Sequence, residues 1–326
     1  MASPEHDRSS PQAHRPAGWP AGWMEAAVAR HPLLGRWLPE LLRLASVDHP
    51  VLISGEPGSG RELAARAIHN LSGRAAHPLV VIPCASLSEP VLEAELRGAD
   101  REPGATLPGR MGAFEQAGTG TVLLAEVADL PRHGQELLLG VIEHHELVRL
   151  NARTPVAAPA RCIATTSADL QRRVAAGLFR EDLLARLSVE QLTLPPLRQQ
   201  VDALVALARH VVAECCVHLG ATAGFTPEAE NILRRYPWPG NLPELRHVIE
   251  QAAVAAGRER IGPGHFPERL RAPGSTLRSL REVEVHHIER VLHEAHGNQR
   301  RASRILGISR WSLSRRLRKY GIGPGE

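Results

Sequence analysis

The chain has 326 residues, enough for two or three domains with cores of their own. Its formal net charge is +4, carried almost wholly by arginine, since Lys319 is the only lysine. No stretch approaches the roughly 18 apolar residues that span a bilayer, and the N-terminus lacks the charged-then-apolar pattern of a signal peptide, so we expect neither a membrane span nor a secretory signal. Four cysteines without paired spacing predict a cytoplasmic protein with no disulfide framework and no metal site.

A polar lead over residues 1–24 opens the chain and is expected to be disordered and too short for a sensory domain. An amphipathic helix is predicted over residues 24–45. Short apolar runs then predict strands at residues 50–54, 79–82, 121–124, 162–165 and 191–194. Helical periods separate them, at residues 61–70, 90–96, 135–144, 168–176 and 181–187. This alternation predicts an α/β domain over residues 25–200, with a mostly parallel sheet covered by helices on both faces.

Strand signals stop after about residue 200. Helical periods at residues 201–219, 227–235 and 242–256 predict an α-helical subdomain over residues 201–270. Residues 271–279 contain Pro, Gly and Ser and predict a short linker. An all-α module is predicted over residues 280–326, with helices at 280–295, 300–306 and 310–320.

A glycine-rich turn follows the first predicted strand and opens the next helix. Its eight residues are Gly55, Glu56, Pro57, Gly58, Ser59, Gly60, Arg61 and Glu62. Backbone N–H groups and a helix dipole converge at such a turn, which predicts a phosphate-binding site. The P-loop pattern G-x-x-x-x-G-K-[ST] has lysine where this chain has Arg61, and a hydroxyl where it has Glu62. A guanidinium is a bulky planar group, whereas an ammonium is a compact charge, so arginine in place of lysine at position 61 is not a conservative replacement.

The segment from Gly297 to Gly321 carries eight basic residues and no acidic residue. Gly307 allows a tight turn between two short helices, so the segment predicts a helix-turn-helix with its third helix in the major groove of DNA. The compact core of this module is predicted from Ala302, Ile305, Leu306, Ile308, Leu313 and Leu317.

This segment resembles the Fis-type helix-turn-helix, most densely in the run Leu306-Gly307-Ile308-Ser309-Arg310 and in the closing Tyr320-Gly321-Ile322. The resemblance implies dimers on a dyad-symmetric site in double-stranded DNA. It implies that base edges are read by Arg310, Trp311, Ser312 and Arg315, and that phosphates are contacted by Arg316, Arg318 and Lys319.

The middle of the chain, from about residue 33 to residue 270, resembles the AAA+ domain of bacterial enhancer-binding proteins, the sigma-54-dependent activators. The motifs that carry this resemblance include the glycine-rich turn, the run from Gly120 to Glu126, Leu194-Pro195-Pro196-Leu197-Arg198 and Trp238-Pro239-Gly240-Asn241. The resemblance implies a P-loop NTPase domain with a parallel sheet and an α-helical lid, followed by the Fis-type domain.

Several residues on which ATP hydrolysis depends in that family are replaced in this chain. The Walker B strand ends in Ala125 and Glu126 instead of Asp-Glu, so the carboxylate that orients Mg²⁺ is absent. Pro83 replaces the Asn that restrains the catalytic Glu, Ser167 replaces the sensor Asn, and Pro243 replaces the lid Arg. The resemblance is therefore to a degenerate member.

Glu126, Arg180 and Arg186 remain as candidate catalytic residues, the two arginines at the positions of the family's trans-acting fingers. The alternative for both arginines is that they form surface ion pairs only. The family's sigma-54 contact loop falls at residues 99–109, which have lost its aromatic residue and its Thr-Gly pair. Phe114 belongs instead to the segment that precedes Walker B.

Together these features predict a sequence-specific DNA-binding transcriptional regulator whose AAA+ core binds ATP or ADP weakly, has a doubtful Mg²⁺ site and hydrolyses little. Expected partners are duplex DNA, further copies of the chain in a dimer or AAA+ ring, and RNA polymerase. Two alternatives stay open. One is a working ATPase that remodels sigma-54 RNA polymerase, for which Asp129 is the other nearby carboxylate. The other is a scaffold that joins the rings of an active relative.

Overall fold

The computed structural model describes residues 31–100, 109–219, 224–271, 288, 291–292, 299–306 and 310–320. The chain divides into two compact units, residues 1–265 and 266–326. The predicted lead over residues 1–24, most of the linker and most of the first helix of the C-terminal module lie outside the described residues.

A five-stranded parallel sheet forms the centre of the first unit, and the five predicted strands are confirmed. Their bounds are β1 Val51–Gly55, β2 Leu79–Pro83, β5 Thr121–Ala125, β8 Arg161–Thr166 and β9 Glu190–Leu194. Their order across the sheet is β2-β5-β8-β1-β9. Two short antiparallel pairs were not predicted: β3 Gly98–Ala99 with β4 Arg110–Met111, and β6 Glu146–Val148 with β7 Pro155–Ala157.

Helices connect the strands as a parallel sheet requires. They are α1 Leu38–Ala45, α2 Arg61–Leu71, α3 Glu89–Arg97, α4 Ala113–Ala117, α5 Arg132–His144, α6 Leu170–Ala175 and α7 Glu181–Leu187. Residues 24–30 of the helix predicted over residues 24–45 lie outside the described residues. The prediction is wrong over residues 31–37, because residues 31–34 form turns and Gly35–Trp37 a 3₁₀ turn before α1 begins. The fixed φ of Pro39 suits the first turn of a helix and places that start.

Two hydrophobic clusters cover the two faces of the sheet, because side chains alternate along each strand. Leu123 and Ile163 pack on one face with α1 and α2. Val122, Leu124 and Ala164, their neighbours in sequence, pack on the other face with α3, α4 and α5. Every residue of β5 is buried, including Thr121, whose hydroxyl is hydrogen-bonded to the His69 ring at 2.9 Å.

The α-helical subdomain consists of α8 Val201–Leu219, α9 Pro227–Arg235 and α10 Asn241–Ala256. Thr226 caps α9 by accepting a hydrogen bond from the backbone N–H of Ala229. Trp238 is fully buried and donates its indole N–H to the carbonyl of Leu233 at 2.9 Å. This buried ring fixes the short segment that leads into α10.

The second unit contains α11 Glu268–Arg271, α12 Gln299–Ile305 and α13 Arg310–Tyr320. Its small core is built from Ile288, Val291, Leu292, Ala302, Leu313 and Leu317. Ile305, predicted to belong to this core, is 53% exposed and does not, because Ala302 and Leu306 occupy the inward face of α12. The predicted core residue Ile308 lies outside the described residues.

Among the residues that the structure describes, no helix has the length and apolar character needed to cross a bilayer.

Replacing Leu123 with Ala should lower the free energy of unfolding by about 2–5 kcal/mol, because the fully buried side chain would leave a cavity between the sheet and α2. Leu178→Ala is the matched control. Its side chain is 62% exposed, so the change should stay within about 0.5 kcal/mol. Urea denaturation followed by circular dichroism measures both, and equal losses would contradict this placement of the core.

Candidate nucleotide site and DNA-binding module

The predicted phosphate loop lies at the carboxyl end of β1 and runs directly into α2. Gly58 and Gly60 have φ of 75° and 98°, a region that side chains with a Cβ rarely adopt. A Cβ on Gly58 would also lie 2.8 Å from the Pro243 ring and 2.9 Å from the Gly240 carbonyl oxygen. Glycine at position 58 therefore lets the helical subdomain approach the loop closely.

Two buried polar atoms of this loop have no hydrogen-bond partner in the described part of the chain: Ser59 Oγ and Arg61 Nη1. The Arg61 side chain is only 8% exposed and Ser59 is still more buried. Ser59 Oγ lies next to Gly55, on the inside of the loop. Buried donors without partners are uncommon, and these two stand at the N-terminus of an 11-residue helix. The loop therefore fits an anionic ligand.

The other terminal nitrogen of Arg61, Nη2, forms an ion pair and hydrogen bond with Glu126 Oε1. Glu126 follows β5, and β8 lies between β5 and β1 in the sheet. Ser167 follows β8 and therefore lies between Glu126 and the phosphate loop. It donates its backbone N–H and its hydroxyl to Glu126 Oε2 at 2.8 and 2.9 Å. Both carboxylate oxygens are thus engaged within the protein.

Glu126 adopts a left-handed backbone conformation with φ of 57°, which is uncommon for a residue other than glycine. Burial alone would raise the pKa of its carboxyl. The hydrogen bonds from Arg61 and from the backbone and hydroxyl of Ser167 outweigh burial and hold that pKa below its ordinary value. Glu126 is therefore ionised at neutral pH.

The residues present do not fit a Mg²⁺ ion. Ala125 is a buried methyl group where the metal-orienting carboxylate is expected, and Glu62 takes the place of the loop hydroxyl. Pro83 lies beside Ala125 in the sheet and has no side-chain donor. The carboxylate of Asp129, the remaining candidate, pairs with Arg173 at 3.1 Å. The described residues hold no cluster of three or more His, Cys, Asp or Glu able to bind a metal ion.

The segment just before α8 and the first residue of α10 contact the phosphate loop in ways that the sequence did not reveal. Arg198 forms two hydrogen bonds with Glu56, at 2.5 and 2.7 Å. Asn241 donates to the Pro57 carbonyl at 2.9 Å and accepts from the Leu197 N–H at 2.8 Å. Arg198 and Asn241 belong to motifs that resemble the family, but nothing in the spacing of those motifs indicates that the two residues reach the phosphate loop.

Arg180 and Arg186, predicted as catalytic residues, make ion pairs within the chain. Arg180 binds Asp182 at 2.7 Å and Glu136 at 3.3 Å. Arg186 binds Glu143 at 3.0 Å. These ion pairs agree with the alternative that the sequence left open. The catalytic role in trans stays a prediction, because it concerns the phosphate loop of a neighbouring copy.

The segment predicted as the sigma-54 contact loop lies largely at residues 101–108, outside the described residues. Phe114 is 1% exposed and packs in the core under β5, so it is not available to contact a partner. This burial agrees with the assignment of Phe114 to the segment that precedes Walker B.

The second and third helices of the C-terminal module lie where the sequence predicted them, as α12 and α13. Of the predicted DNA-contacting residues, Ser312 and Arg316 are partly buried and each interacts with another group of the protein. The side chains of the other predicted contacts, Arg310, Trp311, Arg315, Arg318 and Lys319, lie outside the described part of the module.

A P-loop at the end of a parallel strand, a helical lid and a helix-turn-helix define an AAA+ protein with a DNA-binding module. Residues 28–193 match the sigma-54 interaction domain, residues 198–283 the AAA+ ATPase lid domain, and residues 279–320 the Fis family of bacterial regulatory proteins. The chain therefore belongs to the sigma-54-dependent family of transcriptional regulators.

Similar proteins include the regulatory protein AtoC of Escherichia coli K12, 38% identical over 304 residues, and the transcriptional regulatory protein ZraR of Klebsiella oxytoca, 37% identical over 302 residues. These alignments cover 87% and 89% of this chain, which spans 65% of AtoC and 68% of ZraR. Crystal structures of NtrX from Brucella abortus in complex with ADP and with ATP are also similar, each with a TM-score of 0.68 and 28% identity. They cover 89% and 88% of this chain, and 68% of NtrX in each case.

Replacing Glu126 with Gln should lower the free energy of unfolding at pH 7 by about 1–3 kcal/mol, because Arg61 would stay buried without its counter-charge. Since the pKa of Glu126 is depressed in the folded protein, its carboxylate stabilises the fold above the ordinary value of 4.5. That contribution disappears as the pH falls through the lowered pKa. Urea denaturation at a series of pH values should therefore show the difference shrinking in acid.

Glu146→Gln is the control for this series, because Glu146 is an exposed carboxylate on β6. A stability difference between the wild type and Glu126→Gln that stays constant from pH 7 to about pH 3 would contradict the ion pair.

Proposed function

We propose that this chain is a sequence-specific DNA-binding transcriptional regulator whose AAA+ core binds ADP or ATP weakly and hydrolyses little. The observation that supports this most directly is the engagement of both Glu126 oxygens by Arg61 and Ser167. A glutamate at that position would have to polarise the attacking water in a working ATPase.

Phosphoryl transfer is catalysed mainly by positioning and by electrostatic stabilisation of the transition state. In this site the metal-orienting carboxylate is Ala125, the residue that would restrain the glutamate is Pro83, and the lid arginine is Pro243. The Pro243 ring packs against Gly58, so no lid cation reaches the phosphates from that position. We infer that turnover is lower by several orders of magnitude than in an intact site.

The alternative of a working ATPase requires another carboxylate to hold the metal. Asp129 was the candidate, and its pairing with Arg173 weighs against that role. The support for nucleotide binding is separate, because the loop geometry and its two unpartnered donors do not depend on the hydrolytic residues. The ADP and ATP complexes of NtrX add support by similarity.

Phosphate release from ATP should be negligible in the presence of Mg²⁺, and Glu126→Ala should leave it unchanged. The physical reason is that Glu126 is bound by Arg61 and Ser167, while the described residues hold no cluster of His, Cys, Asp or Glu that could bind the metal. Turnover of about 1 s⁻¹ or faster, the low end for ordinary enzymes, that Glu126→Ala abolishes would refute the proposal.

DNA binding rests on the basic Fis-type module, and we propose dimers on dyad-symmetric sites. Arg310→Ala and Arg315→Ala should each weaken binding by about 1–3 kcal/mol and relax sequence preference, because arginine reads base edges directly. Lys319→Ala should weaken binding to all sequences alike and make the salt dependence less steep.

Gel-shift titration with a selected duplex and a scrambled one measures these effects. Arg258→Ala removes the same charge from an exposed site near the end of the lid and serves as the control. If the three module variants all bound like Arg258→Ala, the assignment of α13 to the groove would be wrong.

A further inference from the structure

We propose that the nucleotide site takes a phosphate-bearing ligand without a divalent cation, and that Arg61 is shared between Glu126 and the ligand's terminal phosphate. This rests on the proposed function, since it specifies the ligand of the same site. The supporting observation is that one terminal nitrogen of Arg61, Nη2, binds the carboxylate of Glu126, while the other, Nη1, is buried and has no partner within the described residues.

The donors left for a ligand are suited to phosphate oxygen. Arg61 Nη1 and Ser59 Oγ are both buried and lack a partner within the described residues. They belong to a loop whose backbone leads into the N-terminus of α2. A guanidinium presents several N–H groups in a fixed plane, so one edge can bind Glu126 while the other binds an anion. Arg61 can therefore serve both groups at once.

The acceptors left for a metal ion are not suited to one. Glu126 Oε1 is bound to Arg61, and Glu126 Oε2 accepts two hydrogen bonds from Ser167. A divalent cation would have to displace a fixed positive charge to reach that carboxylate. Mg²⁺ in solution would instead neutralise part of the phosphate charge that the loop donors attract. Mg²⁺ should therefore leave the affinity unchanged or reduce it.

The charge on Glu126 opposes the ligand, because no metal ion stands between the carboxylate and the phosphate. Glu126→Gln removes that charge and keeps the size of the side chain. The variant should bind ADP about tenfold more tightly, the scale of one unit charge a few ångströms away in a partly screened site. A loop in which Mg²⁺ bridges this glutamate and the phosphates would respond in the opposite direction.

Isothermal titration of the full chain with ADP, in excess EDTA and in excess MgCl₂, tests the proposal. The wild type should bind at least as tightly in EDTA as in MgCl₂. Glu126→Gln should bind about tenfold more tightly than the wild type in EDTA. Arg61→Ala should lose binding, and Glu146→Gln, with an exposed carboxylate on β6, should match the wild type.

The proposal is overturned by tighter binding in MgCl₂, by no gain in Glu126→Gln, or by no ADP binding in the wild type. The comparison of EDTA with MgCl₂ needs no variant, so it holds even if Glu126→Gln folds poorly. Phosphate release measured on the same samples separates the two proposals. Tighter binding in MgCl₂ without turnover would contradict the proposal of a metal-free ligand and would still agree with the proposal of a regulator that hydrolyses little. Turnover of ATP would contradict the proposal of low hydrolysis.

Discussion

The partly buried ion pair between Arg61 and Glu126 is the contact on which the nucleotide site depends. Arg61 is 8% exposed and Glu126 27% exposed, so neither charge is fully solvated. Removing one partner of such a pair leaves the other charge uncompensated, which is strongly unfavourable. The sheet order makes the pair possible, because the ends of β5, β8 and β1 lie side by side and supply Glu126, Ser167 and the phosphate loop. Arg61 of the loop and Glu126 after β5 are thereby paired with each other.

The helical subdomain reinforces this arrangement from the other side of the loop. Glu56 binds Arg198, and Asn241 binds the Pro57 carbonyl, so two consecutive loop residues are held by groups that follow the sheet. The backbone N–H of Leu242 donates to the Gly58 carbonyl at 3.1 Å. These hydrogen bonds within the chain hold the start of α10 against the phosphate loop.

The sequence was sufficient to predict the strands, the phosphate loop and the two short helices of the DNA-binding module. Each of these is encoded locally: β5 by a run of apolar residues, the loop by Gly58 and Gly60, and the helices by their apolar spacing. The hydrogen-bond partners of Glu126 could not be predicted from the local sequence in the same way. Arg61 and Ser167 are separated from it by 65 and 41 residues, and their meeting depends on strand order. The burial of Ile305 was also misjudged, because a short helix offers too few turns for periodicity to define its inward face.

The central claim is that Glu126 stays bound to Arg61 and Ser167 when a nucleotide enters. A crystal structure of the full chain grown with ADP and Mg²⁺ tests it most directly. We expect a phosphate on Arg61 Nη1 and Ser59 Oγ, no metal ion beside it, and an intact contact between Arg61 and Glu126. A Mg²⁺ ion coordinated between the phosphates and a Glu126 carboxylate released from Arg61 would contradict it.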